Sequence, residues 1–293
     1  MFATPDLDAV TIETFDLNLV KYAQIAADRG LHVFMDKPGS ESAEDFEKML
    51  STIKKNGKVF SIGYMYRYNL AVQKALEIVK SGKIGQIYSV EVHMSIDHFK
   101  EKRKWLGAFK GGMTFFLGCH LVDLIYSFMG LPDEIIPFNE STGVFDVTAK
   151  DYGFVVFKYK SVVSFLKTCA SEVGGFGRRQ LVICGSLGNI EIKPIESFCF
   201  EKRSEYPQFK FPLTSNIVVN YKMNENNLFT WSEPVVTENT PVQDRYRDML
   251  RDFARKIHLG KMDDSDFERE ARVHRLVLAS CGIECDWNGK INL

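Results

Sequence analysis

Hydrophobic and polar positions follow two regimes along the chain. From Ala9 to Lys80, short apolar runs alternate with stretches at helical spacing. Ala9 to Thr14, Leu31 to Met35 and Val59 to Tyr64 read as strands. Asn18 to Asp28 carries apolar residues at helical spacing and stops at Gly30. Ser42 opens a second helix with acids in its first turn, lysines in its last and Gly57 as its stop. Ala71 to Lys80 is a third helix, closed by S-G-K-I-G. Strand, helix, strand, helix, strand predicts a parallel sheet with right-handed crossovers.

The pattern changes after Gly85. Ile87 to Ile96 is a long alternating strand, and Phe116 to Met129 is an amphipathic helix. From Ile135 to about Tyr221 the chain reads mainly as strands, among them D-Y-G-F-V-V-F-K-Y and V-V-S-F-L-K-T-C. Turns such as G-S-L-G-N separate them, which predicts an antiparallel sheet. Helices over Val242 to Lys256 and Ser265 to about Cys281 complete it. The expected fold is an α/β unit over residues 1–84 followed by an α+β unit over 85–293 with a large, mainly antiparallel sheet.

Composition narrows the classes. Of the 293 residues, 45% are hydrophobic and 26% charged, with a net charge of −1. That balance gives no basic excess for nucleic acid. No apolar stretch is long enough to span a bilayer, and no leader is expected at M-F-A-T-P-D-L-D-A-V. The six cysteines are scattered and form no CxxC pair, as in a reduced cytoplasmic protein, and no metal site is expected.

Candidate chemistry gathers at the carboxyl ends of the first three strands. E-T-F-D-L-N (13–18), M-D-K-P (35–38) and G-Y-M-Y-R-Y-N (63–69) place polar and aromatic groups at one edge of a parallel sheet, where such sheets bind ligands. Pro38 stiffens the exit beside Lys37. A fourth cluster, G-G-M-T-F-F-L-G-C-H-L-V-D (111–123), has two glycines as a flexible approach to the helix. It puts His120 and Asp123 three residues apart on one helical face, so the carboxylate could orient the imidazole.

These clusters together resemble the glucose-fructose oxidoreductase/inositol dehydrogenase/MocA family (Gfo/Idh/MocA). D-L-D-A-V-T-I-E-T is similar to the family's fourth Rossmann strand, and H-V-F-M-D-K-P to its strand ending in Glu-Lys-Pro. G-K-I-G-Q-I-Y-S-V is similar to the start of its second domain, and A-S-C-G-I-E-C-D-W-N-G-K-I-N-L to its closing segment. The resemblance implies a partial Rossmann-like sheet and hydride transfer between NAD or NADP and a sugar, cyclitol or related polyol. It assigns Lys37 and His120 to catalysis. It places Thr14, Phe15, Asn18, Asp36, Lys37 and Arg67 toward the cofactor, and Tyr66, Trp105, His120 and Asp123 toward the substrate. A cytoplasmic homodimer or homotetramer is implied as well.

Three departures stand out. Asp36 replaces the family's usual Glu. Phe116 stands where many members carry an Asp one turn before the histidine. No G-x-G-x-x-G stretch, the phosphate-binding loop of a dinucleotide site, occurs in the chain. The expectation is that the sequence begins at an internal Met and the first strands and loop lie outside it; a gene that lacks them is the other explanation. The same departures also suit a non-catalytic ligand-binding or regulatory protein on this scaffold.

Overall fold

β1 (Ala9–Ile12), β2 (His32–Met35) and β3 (Phe60–Ile62) form a parallel sheet in that order. The computed structural model describes residues 4–196, 199–201, 208–210, 216–221, 236–241, 244, 246–260 and 262–293. Val33, Phe34 and Met35 of β2 are all buried, as an apolar run in a covered parallel strand should be. α1 (Leu19–Asp28) and α2 (Ala43–Lys55) connect the strands. Phe46, Met49, Leu50 and Ile53 form the buried stripe of α2, and Ser42 Oγ caps it by accepting from the Asp45 N–H (3.1 Å). α3 (Leu70–Lys80) is capped the same way by Asn69, whose Oδ1 accepts from the N–H groups of Ala71 and Val72.

The second sheet begins with β4 (Ile87–His93). It is followed by α4 (Lys100–Trp105), α5 (Cys119–Met129), β5 (Glu134–Glu140), β6 (Tyr152–Tyr159), β7 (Val162–Cys169), β8 (Gln180–Gly185) and β9 (Gly188–Ile192). β10 (Cys199–Glu201) and β11 (Gln208–Lys210) pair with each other, and β12 (Asn216–Tyr221) and β13 (Val236–Asn239) complete the strands. The large sheet runs β13-β12-β9-β8-β4-β7-β6-β5, antiparallel except where β4 pairs β7. α5 packs on β4 and β7, and Val90, Val92 and Leu166 are buried there. α6 (Arg247–Leu259) and α7 (Asp264–Ser280) follow.

The boundaries differ from expectation in instructive places. The helix expected from Phe116 opens instead as a π-helical turn over Thr114–Gly118, and the α-helix starts at Cys119. α4 has no counterpart among the expected elements. The penultimate helix starts at Arg247; residues 242, 243 and 245 of the expected span lie outside the described residues. Gly111 and Gly112 serve close packing rather than flexibility. Gly112 has φ +53°, and a Cβ there would lie 2.0 Å from the Lys150 carbonyl oxygen.

α7 packs on α2 through His274. Its ring stacks on Phe46 (centroids 3.9 Å, interplanar 9°). Its Nε2 lies 2.8 Å from the Ser40 carbonyl oxygen and 3.2 Å from the Ser40 amide. This clamps the loop three residues beyond Lys37. Burial pushes the His274 pKa down to about 4, only partly opposed by the Ser40 hydrogen bond. The unfolded chain therefore binds this proton more readily than the folded one between pH 6.5 and 4. The neutral ring's contribution is fully present above pH 6.5 and is lost as pH falls toward 4. It is on the order of 3 kcal/mol. Urea denaturation at about pH 7, 5 and 4 should show a steeper acid loss for the native chain than for His274→Gln, which does not titrate. Parallel pH profiles would contradict this assignment.

Candidate functional site

The three parallel strands run out at one edge, and there they meet α4 and the π-turn. Between them lies a cleft of about 400 Å³. β1 contributes Thr14, Phe15 and Asp16, β2 contributes Asp36 and Lys37, and β3 contributes Gly63. α4 supplies Lys102 and Trp105, and the segment from the π-turn into α5 supplies Phe116 and His120. Gly63 lets β2 and β3 exit close together. A Cβ on it would lie 2.7 Å from Asp36 Oδ1.

Lys37 is held from two sides. Its backbone N–H donates to Asp36 Oδ1 (2.8 Å), and its Nζ donates to the Phe116 carbonyl oxygen (3.1 Å). The same ammonium lies 4.3 Å from the centroid of the Phe116 ring. His120, in the first turn of α5, is 5% exposed and meets the rings of Tyr64 and Tyr66 edge-on at 5.8 and 5.1 Å. Trp105 stands perpendicular to Phe116 (5.2 Å) and to Phe109 (4.7 Å), and Phe15 packs against both Trp105 and Phe109. The cleft therefore combines a cluster of aromatic rings with charged groups lying against them.

Burial raises the pKa of Asp16, and the nearby Lys37 ammonium works against that rise. Burial lowers the pKa of Lys102; Asp16 opposes the drop and Lys37 adds to it. Neither Asp16 nor Lys102 is among the candidates read from the sequence. Asp16 sits inside the E-T-F-D-L-N cluster and could have been. Lys102 follows no strand end and needs α4 to be seen.

Thr14, Phe15, Asp36, Lys37, Trp105 and His120 thus line one cleft. The other four sequence candidates do not line it. Asn18 ends the turn that leads into α1. The Tyr66 hydroxyl donates to Glu196 Oε1 (2.7 Å), and Glu196 also pairs with Arg179. The Arg67 guanidinium faces Asp123 of α5 and Glu270 of α7. Its Nε and Nη2 lie 2.9 and 2.7 Å from Asp123, and its Nη2 lies 3.0 Å from Glu270. Arg269 donates to Asp123 as well (3.1 Å). The expectation that Asp123 orients His120 and faces the substrate is therefore corrected: its carboxylate is taken by two guanidiniums beneath the surface. Residues three apart on a helix share a face, but the stronger, charged partners decide where the carboxylate turns.

Residues 1–64 match the family model described as an oxidoreductase family with an NAD-binding Rossmann fold, and residues 72–191 match the GFO/IDH/MocA C-terminal domain. The chain belongs to the Gfo/Idh/MocA oxidoreductase family. The D-xylose 1-dehydrogenase (NADP(+)) 2 of Haloferax volcanii is 23% identical over 279 residues, covering 94% of this chain and 78% of that protein. A 1-carboxy-3-chloro-3,4-dihydroxycyclohexa-1,5-diene dehydrogenase from Comamonas testosteroni is 27% identical over 175 residues, 58% of this chain and 42% of that one. The same fold occurs in a 3-ketoreductase from Actinomadura kijaniata, solved with NADP and TDP-benzene. It has a TM-score of 0.74 at 16% identity, with 96% of this chain and 79% of that one covered. Among the described residues no helix is long and apolar enough to cross a membrane, and no cluster of metal-ligating side chains occurs.

The Arg67 network has a measurable consequence. Replacing Arg67 with Met leaves Glu270 and much of Asp123 as buried carboxylates without their main cation, which should cost about 3–5 kcal/mol. Chemical denaturation of Arg67→Met would show the loss. A change within about 0.5 kcal/mol would mean that Arg269 alone satisfies both acids.

Proposed function

We propose that this protein is an NAD(P)-dependent oxidoreductase acting on a CH–OH carbon of a sugar, cyclitol or related polyol. The observation that carries the reading is the convergence of Lys37 and His120 on one cleft at the carboxyl edge of the parallel sheet. Residues 1–84 then form the cofactor unit and 85–293 the substrate and oligomerisation unit. Oxidising a secondary alcohol releases a hydride and a proton. When bound, NAD(P) supplies the hydride acceptor. The cleft's aromatic rings and polar groups fit the nicotinamide end, with Thr14, Phe15, Asp36 and Lys37 the residues that would hold it. No stretch of the chain carries the glycine spacing for the pyrophosphate, so no residue is assigned to that group.

Lys37 stabilises negative charge developing on the substrate oxygen. Its tether to the Phe116 carbonyl keeps the ammonium where that oxygen would lie. His120 takes the proton in oxidation and returns it in reduction. Trp105 and Phe116 exclude water beside the reacting carbon. The Haloferax relative, whose name specifies xylose and NADP(+), supports the sugar class. A ligand-binding role without turnover draws support from Phe116, which occupies the place of the family's carboxylate.

The decisive assay follows NAD(P)H absorbance with a panel of sugars and polyols. Lys37→Ala should lower turnover by at least about a hundredfold, and Lys37→Arg should not rescue it, because the longer, planar guanidinium cannot occupy the place of the compact ammonium. His120→Ala should cost about a hundredfold to ten-thousandfold. Full turnover in Lys37→Ala would end the dehydrogenase reading. Absence of turnover in the native chain with every sugar and either cofactor, alongside measurable sugar binding, would favour the non-catalytic one.

We further infer that the protein self-associates through the outer face of its large sheet. Phe138, Tyr88 and Val163 are 50%, 48% and 47% exposed there. The rings of Phe138, Phe154 and Phe165 form a ladder with centroids 6.3 and 5.5 Å apart. An exposed apolar stripe of this kind suits a partner surface of its own kind. Sedimentation should show a dimer or tetramer, and Phe138→Glu should shift it toward the monomer. An unchanged mass in the variant would locate the interface elsewhere.

A further inference from the structure

We propose that Lys102 is a substrate-recognition residue that binds a carboxylate, so that the cleft selects a sugar acid over the corresponding neutral sugar. The inference rests on the reading of this cleft as a sugar site and sharpens it.

Its first support is the rigidity of α4. Arg103 is 1% exposed, and its guanidinium is committed inward: Nε donates to Asp151 Oδ2 (2.9 Å) and Nη2 to the Val144 carbonyl oxygen (2.6 Å). Asp151 is itself fully buried, and its Oδ1 accepts from the Thr142 N–H (2.7 Å). Neighbouring residues on a helix point about 100° apart. With Arg103 locked into the interior, Lys102 is turned onto the cleft wall.

The second support is how the Lys102 ammonium is held. It lies 3.4 Å from the Trp105 ring centroid and 4.7 Å from that of Phe116. Two aromatic faces attract the charge, but a ring face fills none of the three N–H donors an ammonium carries. No carboxylate or carbonyl oxygen among the described residues accepts a hydrogen bond from it. The cleft wall thus carries a partly buried cation with its donors unfilled.

The third support is the contrast with Lys37. Two of the cleft's three acids, Asp16 and Asp36, are engaged with Lys37. Asp36 Oδ1 already accepts from the Lys37 backbone N–H, and among the charges acting on Asp16 the Lys37 ammonium outweighs that of Lys102. Burial disfavours the charged form of Lys102; Asp16 opposes this and the Lys37 charge adds to it. A substrate hydroxyl could fill one donor but would bring no countercharge. A carboxylate fills donors and supplies the countercharge, and charge-assisted hydrogen bonds are about twice as strong as neutral ones. Lys102 and Lys37 flank the same Phe116 ring, which would set the acid group on the same side of the substrate as its reacting hydroxyl.

The test is calorimetric titration of the purified chain, with excess NADH and separately with excess NADPH, using D-glucuronate and D-galacturonate against D-glucose and D-galactose. At least one acid should bind about tenfold to a hundredfold more tightly than its parent sugar. Lys102→Met should abolish that preference while retaining a native melting temperature, and Lys102→Arg should keep part of it. Equal binding of acid and parent sugar, binding of neutral sugars alone, or an undiminished acid preference in Lys102→Met overturns the inference and leaves the sugar cleft standing. Binding of none of the four overturns the sugar reading itself.

Discussion

The half-buried guanidinium of Arg67 joins the three parts of the protein that make the cleft. It leaves the turn after β3, reaches Asp123 on α5 and grips Glu270 on α7. Its burial would be costly if any donor were left unmet, and it is tolerable because two carboxylates meet it and Arg269 adds a second cation to Asp123. The result fixes α5, and so His120, relative to the strand ends that carry Lys37. A sliding hydrophobic interface could not set that distance so narrowly. Charged groups with fixed directions can, because any shift breaks several hydrogen bonds at once.

The π-turn at Thr114–Gly118 gives the second constraint. One wider turn displaces the backbone just before α5 and turns the Phe116 carbonyl toward Lys37. The ring of the same residue lies beneath both Lys37 and Lys102. One turn before the histidine this chain places a ring that attracts cations by its face. A carboxylate would neutralise an ammonium and occupy its donors. A ring holds the charge and leaves the donors for a ligand. Phe116 therefore holds both cations at the cleft by its face without a carboxylate.

Much of this was legible in the sequence. The alternating run V-V-S-F-L-K-T-C matches β7 residue for residue, and the caps at Ser42 and Asn69 lie where helix-start chemistry puts them. The three strand ends did converge, because parallel strands joined by short crossovers must present their carboxyl ends on one edge, but the third brings Gly63 and Met65 rather than Tyr66 and Arg67 into the cleft. What stayed hidden was long-range. Asp123 is three residues from His120 in sequence, yet its partners are Arg67 and Arg269, which lie 56 and 146 positions away. α4 is six residues of mostly basic side chains with no apolar period, and it is stabilised by the Arg103–Asp151 pair rather than by its own pattern. Local periodicity carries no signal for either.

The cleft is a property of the docking between two sheets. Lys37 belongs to the parallel sheet, while His120, Trp105 and Lys102 come from segments packed on or beside the large one. Besides a shared hydrophobic core, polar and directional contacts hold the two together: Arg67 with Asp123 and Glu270, Tyr66 with Glu196, Asn69 with the Ile195 carbonyl oxygen (2.8 Å), and His274 with Ser40. None of these residues lines the cleft, yet each limits how far its two walls can move apart. Substitutions among them would act on the separation of Lys37 from His120 rather than on either group's chemistry. Transition-state stabilisation is more sensitive to such separation than substrate binding is, since a misplacement of about 1 Å can cost on the order of a hundredfold in rate. Residues that align the walls and residues that line the cleft therefore form two separable sets in this fold.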